Sequence, residues 1–233
     1  SQGQGINILL NLFFGPMVNA ARAVAYQIQT AVNHFVINFL MATRPQVIKS
    51  FAEHNYERMY SLTFKSARYS FFLMLALILP ICFELRFILN LWLGKATPPD
   101  TYVFTLIILL LSLAEVFRAS MIMAFHAIGK MKLGNSLNGT IMILSLPISY
   151  AILKMGAPAY AVFIVLVIIN ITVMIDAYFI VYSYVHFNIR ELLVGAVLPC
   201  VLVGACSVIV PTAIVYLMDG RGSLFYPCLQ RSY

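Results

Sequence analysis

Long apolar runs constrain the fold of this chain more than any other feature of its sequence. A bilayer hydrocarbon core about 30 Å thick needs about 20 helical residues to cross it. Five runs meet that length, at residues 69–93, 102–128, 133–153, 160–185 and 192–218. The runs are continuous rather than alternating with a period of two, which favours helices over the strands of a membrane barrel. The sequence therefore predicts an all-α integral membrane protein built as a multi-pass helical bundle.

The composition supports the same fold class. Hydrophobic residues make up 62% of the chain and charged residues 10%, and the mean hydropathy is +0.91. A soluble domain carries about 25% charged residues, so this chain lacks the polar surface that a water-soluble globule needs. The composition excludes a soluble enzyme, a disordered chain and a secreted disulfide scaffold. The net charge of +7 comes from basic residues that lie mostly between the apolar runs, where membrane orientation explains them without a nucleic-acid partner.

A sixth predicted span, 17–41, differs from the others because it is rich in polar side chains. One helical face carries residues at steps of three and four, namely Asn19, Arg22, Tyr26, Gln29 and Asn33. A neighbouring stripe carries Gln27, Thr30, His34 and Asn38. A spanning helix with a wide polar face lines a wet cavity or packs in a bundle interior.

The flanks of the spans give the domain organisation. The apolar run at 6–14 makes about half a span and predicts that residues 1–15 are a first helix truncated by the start of the chain. One transmembrane lobe then extends over 1–218, and 219–233 form a polar tail. The link at 43–68 and the alternate connections after it carry more basic residues than the opposite connections. The positive-inside rule therefore places the 43–68 link in the cytoplasm.

Arg22 is the strongest candidate for a substrate-binding residue. Its guanidinium is always charged and presents five donors in a fixed fork, which suits phosphate recognition. The remaining substrate-binding candidates are polar residues of the same helix, Asn19, Gln29, Asn33 and His34. Together they predict a site for an anionic, polar substrate.

No sequence pattern predicts catalysis or a bound metal. The chain lacks a His-Glu-x-x-His motif, a Gly-x-Ser-x-Gly motif and a Walker phosphate loop. Its four cysteines have no Cys-x-x-Cys spacing. We therefore expect a protein that is not an enzyme and that uses neither cofactor nor metal.

Besides Arg22, three charged residues lie well inside predicted spans, namely Glu115, Arg118 and Asp176. A charge at the bilayer centre costs about 2.5–3.5 kcal/mol on insertion scales. Glu115 and Arg118 are three residues apart on one helix, so they can pair and lessen each other's cost. We interpret them first as a structural pair and second as an ion-coupling site. Asp176 has no basic neighbour in its own helix and needs a partner from another span, a water cavity or a coupling ion.

Three segments carry a family resemblance. The first is Gly-Gln-Gly-Ile-Asn-Ile-Leu-Leu-Asn-Leu-Phe-Phe-Gly-Pro over residues 3–16, followed by Asn19-Ala20-Ala21-Arg22. The others are Pro45-Gln46-Val47-Ile48-Lys49-Ser50 and Ile88-Leu89-Asn90-Leu91-Trp92-Leu93-Gly94. In order and spacing, these segments resemble bacterial polysaccharide-export flippases of the MATE-like multidrug/oligosaccharidyl-lipid/polysaccharide exporter superfamily.

The resemblance implies the second, C-terminal lobe of a longer two-lobed carrier, with six full spans after a truncated first one. Such carriers flip an undecaprenyl-diphosphate-linked oligosaccharide across the bacterial inner membrane by alternating access, for surface polysaccharide or lipopolysaccharide synthesis. The implied partners are the lipid bilayer, the lipid-linked oligosaccharide and the missing N-terminal lobe. Of the family's substrate-binding arginines, Arg22 alone carries over, by its position in the motif.

Other functions stay open beside the flippase. A lobe of a MATE-type cation-coupled drug exporter would use Asp176 as a proton or sodium site, although the amide-rich face with Arg22 suits anionic sugar lipids better than cationic drugs. A non-functional fragment is also compatible with the absent first lobe. A membrane enzyme would need a long extramembrane loop or a convergent cluster of His, Asp and Glu, and the sequence shows neither.

Overall fold

The computed structural model of the chain describes residues 2–94, 97–98, 100–129, 131–184 and 193–207. All regular secondary structure in these ranges is helical, which confirms the all-α prediction. The helices are α1 (Gln2–Phe14), α2 (Pro16–Ala52), α3 (Tyr56–Phe83), α4 (Leu85–Leu93), α5 (Thr101–Ala127), α6 (Met131–Lys154) and α7 (Ala161–Tyr184). A π-helical turn, Leu193–Val197, then leads into α8, over residues 198–207.

Three helices in the described ranges are long and apolar enough to cross a membrane, namely Tyr56–Phe83, Thr101–Ala127 and Ala161–Ser183. The last of them carries an exposed row of isoleucines, Ile164, Ile168, Ile171 and Ile175. Their steps of four, three and four residues place them on one helical face. A continuous apolar face of this kind needs no covering in lipid. These helices, with the composition, indicate a membrane protein.

The bounds of α2 and α3 differ from the sequence expectation. The span expected at 17–41 continues as one helix to Ala52, through Pro45. The span expected at 69–93 begins earlier, at Tyr56, and is interrupted at Glu84 between α3 and α4. Pro80 lies inside the last turn of α3, where a proline removes one intrahelical hydrogen bond and weakens the helix end.

The link at 43–68 is consequently a helical hairpin made by the end of α2 and the start of α3. Its two helices bury Val47 and Met59 in the same hydrophobic cluster. The turn between them includes His54, whose φ is 56°, and ends at Asn55, whose side-chain oxygen accepts a hydrogen bond from the Arg58 N–H at 3.1 Å. This N-cap satisfies one of the free N–H groups that begin α3.

The other helices lie near their expected positions. α1 ends before Gly15, whose φ of 80° favours glycine, and Pro16 opens α2 at a position where its missing N–H costs nothing. α5, α6 and α7 correspond to the runs at 102–128, 133–153 and 160–185. Of the expected span at 192–218, residues 193–207 are described; the tail at 219–233 lies outside the described residues.

α5 is the central helix of the bundle and packs against α2, α3 and α7. α6 packs on α7 and α1, and α1 also covers the start of α2. One hydrophobic cluster joins α2, α3, α5, α7 and the segment at 193–207. A second cluster joins α1, the start of α2, α5, α6 and α7, with the rings of Phe104 and Phe163 5.1 Å apart at its centre. This packing decides which face of α2 is covered and which is left exposed.

Candidate functional site

The exposed face of α2 carries a row of polar side chains. We call Gln27, Thr30, His34 and Asn38 the polar row; all four are exposed and follow at steps of three and four residues. The alanines at positions 20, 23, 31 and 42 are also exposed on α2. The Thr30 hydroxyl donates to the carbonyl of Tyr26 at 2.7 Å, as hydroxyls in helices commonly do. The other three side chains of the row have polar groups free for a ligand or water.

A crevice of about 110 Å³ lies between α2 and α5, beside the polar row. Its polar lining residues are Asn33 from α2 and Ser112, Glu115 and Arg118 from α5. Apolar side chains of α2, α3 and α5 complete its walls. Asn33 is three residues from Thr30, so the crevice and the polar row are neighbours on the surface of α2. The crevice lining is otherwise apolar, and Ile37, which belongs to it, is 49% exposed. The two features are therefore adjacent polar patches on an apolar bundle.

Glu115 and Arg118 form an ion pair at the crevice, with 3.5 Å between Glu115 Oε1 and the terminal nitrogen NH2 of Arg118. Their side chains are 29% and 19% exposed, so the pair is mostly, but not fully, withdrawn from solvent. The Nε of Arg118 is buried and has no hydrogen-bond partner among the described residues. The pair is therefore loose, and its guanidinium retains unused donors.

Arg22 is 4% exposed and lies inside the bundle, covered by α1. Its guanidinium donates to Asn7 Oδ1 and to the carbonyl of Gly3, and it lies over the ring of Tyr26 with 4.6 Å to the centroid. These partners are neutral, and no ion pair to Arg22 is present in the part of the chain that the structure describes. Its Nε and the nearby Asn19 Oδ1 are buried without a hydrogen-bond partner there.

Gln29 is also buried, at 8% exposed, and its side-chain Nε2 donates to Ser112 Oγ at 2.8 Å. The Ser112 hydroxyl in turn donates to the carbonyl of Ile108 at 2.9 Å. This contact connects α2 to α5 at the edge of the crevice, because Ser112 also lines the crevice.

The substrate-binding candidates of α2 thus divide into three environments instead of sharing one wet face. Arg22 and Gln29 pack inside the bundle, Asn19 and Asn33 are half-buried, and His34 lies on the exposed polar row. The stripe of Asn19, Arg22, Gln29 and Asn33 faces α1 and α5 because those helices cover that side of α2. The neighbouring stripe is the one that stays exposed.

Asp176 is half-buried on α7. Within the described ranges it makes neither an ion pair nor a side-chain hydrogen bond, and Arg190 lies outside those ranges. Its carboxyl group therefore keeps its acceptor capacity for a ligand, an ion or water.

Two residues of this region were missed by the sequence reasoning. Asn7 holds the Arg22 guanidinium from α1, and Ser112 accepts from Gln29 across the α2–α5 interface. Ser112 shares a four-residue repeat of small or β-branched side chains with Val116 and Ser120 along α5, which is the pattern of a close helix contact. This repeat is the sequence feature that could have identified Ser112 as an interface residue. For Asn7 the sequence offers no such feature apart from its position in the segment at 3–16.

This surface offers neutral donors and acceptors, together with one guanidinium that a carboxylate neutralises in part. Such a set binds hydroxyls, amides and an anionic group. Among the described residues, no group of three or more His, Cys, Asp or Glu side chains could hold a metal ion. Comparison of the chain with protein-family models, curated proteins and solved structures gives no match.

Proposed function

We propose that this chain is one lobe of a membrane carrier that flips an undecaprenyl-diphosphate-linked oligosaccharide across the bacterial inner membrane for surface polysaccharide synthesis. The observation that carries the proposal is the exposed polar row of α2 beside the crevice. The resemblance of the α1–α2 segment to polysaccharide-export flippases adds the substrate class.

The polar row is too costly to face lipid. Moving an amide or hydroxyl from water to hydrocarbon without a hydrogen bond costs about 4–8 kcal/mol. Gln27, His34 and Asn38 have no protein hydrogen-bond partner among the described residues. Three such groups in hydrocarbon would cost about 12–24 kcal/mol, which is as large as or larger than the net stability of about 5–15 kcal/mol that is typical of folded domains. The row is best accounted for by water and by the hydroxyl groups of a sugar.

The carrier proposal assigns each surface a partner. The isoleucine row of α7 faces the acyl chains, and the polar row faces a central cavity closed by an opposing N-terminal lobe. In this arrangement the lobe has six spans, and the α2–α3 hairpin lies in the cytoplasm. Rocking of the two lobes would expose the cavity to each side of the membrane in turn. Arg22 and its neighbours would then hold α1 against α2 and set the shape of the cavity wall. No covalent step is needed, so the proposal is a transporter without a cofactor.

The proposal is tested by near-isosteric replacement of the polar row in the complete protein. The double variant Gln27→Leu/Asn38→Leu removes two amides while leaving side-chain size similar. Each lost hydrogen bond to a sugar is worth about 0.5–1.5 kcal/mol, so we expect surface polysaccharide to fall roughly tenfold while membrane abundance is unchanged. Ile168→Leu on the lipid-facing row is the matched control and keeps full export. Wild-type export by the double variant would overturn the proposal.

A second candidate is a lobe of a cation-coupled drug exporter, and Asp176 is the observation that favours it. In such an exporter, this half-buried carboxyl group, which has no described partner and lies on the most apolar of the described helices, would hold a proton or sodium ion. Asp176→Asn would then abolish resistance to cationic dyes and leave surface polysaccharide intact. Loss of polysaccharide with unchanged dye resistance would favour the flippase.

A further inference from the structure

We propose that Glu115 is an internal competitor that occupies the Arg118 guanidinium until the diphosphate group of a lipid-linked substrate displaces it. This inference rests on the proposed carrier function and identifies the group that receives the anionic part of the substrate. It moves the anion-binding role from Arg22, which sequence reasoning favoured, to Arg118.

The position of the two arginines favours Arg118. Arg22 is covered by α1 and held by Asn7, so a large anion cannot reach its guanidinium without displacing a helix. Arg118 lines the crevice, and among the crevice residues it is the one cation. The crevice borders the polar row, so an anion at Arg118 would have its attached sugar beside His34.

The contact with Glu115 is of the kind that an anion can displace. Charge-assisted N–H···O bonds are usually about 2.7–2.9 Å long, whereas the Glu115–Arg118 distance is 3.5 Å and involves one oxygen and one terminal nitrogen. The buried Nε has no partner among the described residues. A diphosphate offers more oxygens and more negative charge than one carboxylate, and it suits the planar guanidinium fork.

The pair also explains how the empty site tolerates a cation. An isolated charge withdrawn from water is costly, so Glu115 neutralises Arg118 when no substrate is present. Glu115 is 29% exposed, so its carboxylate can turn to water once the diphosphate has taken its place. The exchange keeps the guanidinium paired in both states.

The size of the crevice is consistent with this division of the substrate. The crevice holds about 110 Å³ and is open to the surface of the bundle. An anionic group can therefore enter it while the attached sugar lies outside, on the polar row.

The inference is tested by binding of farnesyl diphosphate to the complete protein in detergent micelles, with inorganic pyrophosphate as the lipid-free probe. We expect Glu115→Gln to bind farnesyl diphosphate about fivefold more tightly, because the competing charge is removed. Arg118→Ala weakens binding at least about tenfold, and the double variant matches Arg118→Ala. The matched control is Arg86→Ala, which removes an exposed arginine lying over Tyr102 and leaves affinity unchanged.

Three results would overturn the inference. Glu115→Gln could leave the affinity unchanged, its gain could persist without Arg118, or pyrophosphate could bind as tightly as farnesyl diphosphate, which would remove the lipid-linked source. If Glu115→Gln folds poorly by size-exclusion chromatography, Glu115→Asp, which keeps the charge and shortens its reach, should give the same direction of change.

Failure of this inference is distinguishable from failure of the carrier proposal. If Gln27→Leu/Asn38→Leu lowers export roughly tenfold while Glu115→Gln leaves diphosphate affinity unchanged, the carrier proposal is supported and the competitor role of Glu115 is wrong. If the Glu115 and Arg118 variants bind farnesyl diphosphate as expected while Gln27→Leu/Asn38→Leu exports normally, the competitor role of Glu115 is supported and the carrier proposal is wrong.

Discussion

The hydrogen bond from Gln29 to Ser112 gives a sharp test of the α2–α5 interface on which the crevice depends. Both side chains are buried, and the donor and acceptor are 2.8 Å apart. Ser112→Ala removes the acceptor and leaves a buried amide N–H without its partner. An unsatisfied buried group costs about 1–3 kcal/mol, whereas interhelical hydrogen bonds measured in membrane proteins average about 0.6 and reach about 1.7 kcal/mol. We therefore expect a loss of about 1 kcal/mol in unfolding free energy.

Ser120→Ala is the matched control for this substitution. Ser120 is buried on the same helix, and its hydroxyl donates to the Val116 carbonyl at 3.0 Å, much as Ser112 donates to Ile108 at 2.9 Å. No hydrogen bond from another described helix reaches it. Because both variants lose the same bond within their own helix, the difference between them isolates the contact with Gln29. We expect Ser120→Ala to cost less than about 0.5 kcal/mol.

The assay is reversible unfolding in mixed detergent micelles, with Gln29→Leu completing a double-mutant cycle. We expect a coupling energy of about 0.6–1.7 kcal/mol between the two positions. Equal losses for Ser112→Ala and Ser120→Ala, with a coupling energy near zero, would refute the placement of α2 against α5.

Two further substitutions test the packing with internal controls. Ile169 is 7% exposed and its neighbour Ile168 is 58% exposed, so Ile169→Ala should lower the unfolding free energy by about 2–5 kcal/mol. Ile168→Ala should change it little, because detergent or lipid replaces the lost methyl contacts; equal effects would contradict the assigned faces of α7. A side chain at Gly5 would begin 2.6 Å from a methyl of Leu146, so Gly5→Val should lower Tm, at a cost of about 1–3 kcal/mol. Leu146→Ala should restore it, and a failure to restore would contradict the α1–α6 contact.

Much of the fold is predictable because membrane helices depend on local composition. The apolar runs fixed the positions of α5, α6 and α7 within a few residues. The extension of α2 past Pro45 was not anticipated, because a proline near polar residues usually signals a helix end. Its continuation depends on Val47 packing in a cluster that includes Met59 of α3, a contact between helices that no local pattern reveals.

The candidate site divides in the same way between local and long-range information. The Glu115–Arg118 pair follows from a three-residue spacing on one helix and is visible in the sequence. The two polar stripes of α2 are visible as well, but the sequence cannot show which of them other helices cover. That depends on Asn7 and Ser112, which belong to different helices from their partners. The stripe that contains Arg22 is therefore buried, and the exposed stripe is the one that sequence reasoning placed second.

The water exposure of the polar row is the central claim, and substituted-cysteine labelling in native membranes tests it most directly. Single cysteines replace Gln27, Thr30, His34 or Asn38 in a cysteine-free background. The controls are cysteines at the exposed Ile164, Ile168 and Ile171 of α7, which we expect to face lipid. A membrane-impermeant thiosulfonate reacts with the thiolate, which forms in water and not in hydrocarbon. We expect labelling of the polar row to be at least about tenfold faster than labelling of the isoleucine positions. Equal, slow labelling of both rows would place the polar row in lipid and contradict its proposed exposure to water.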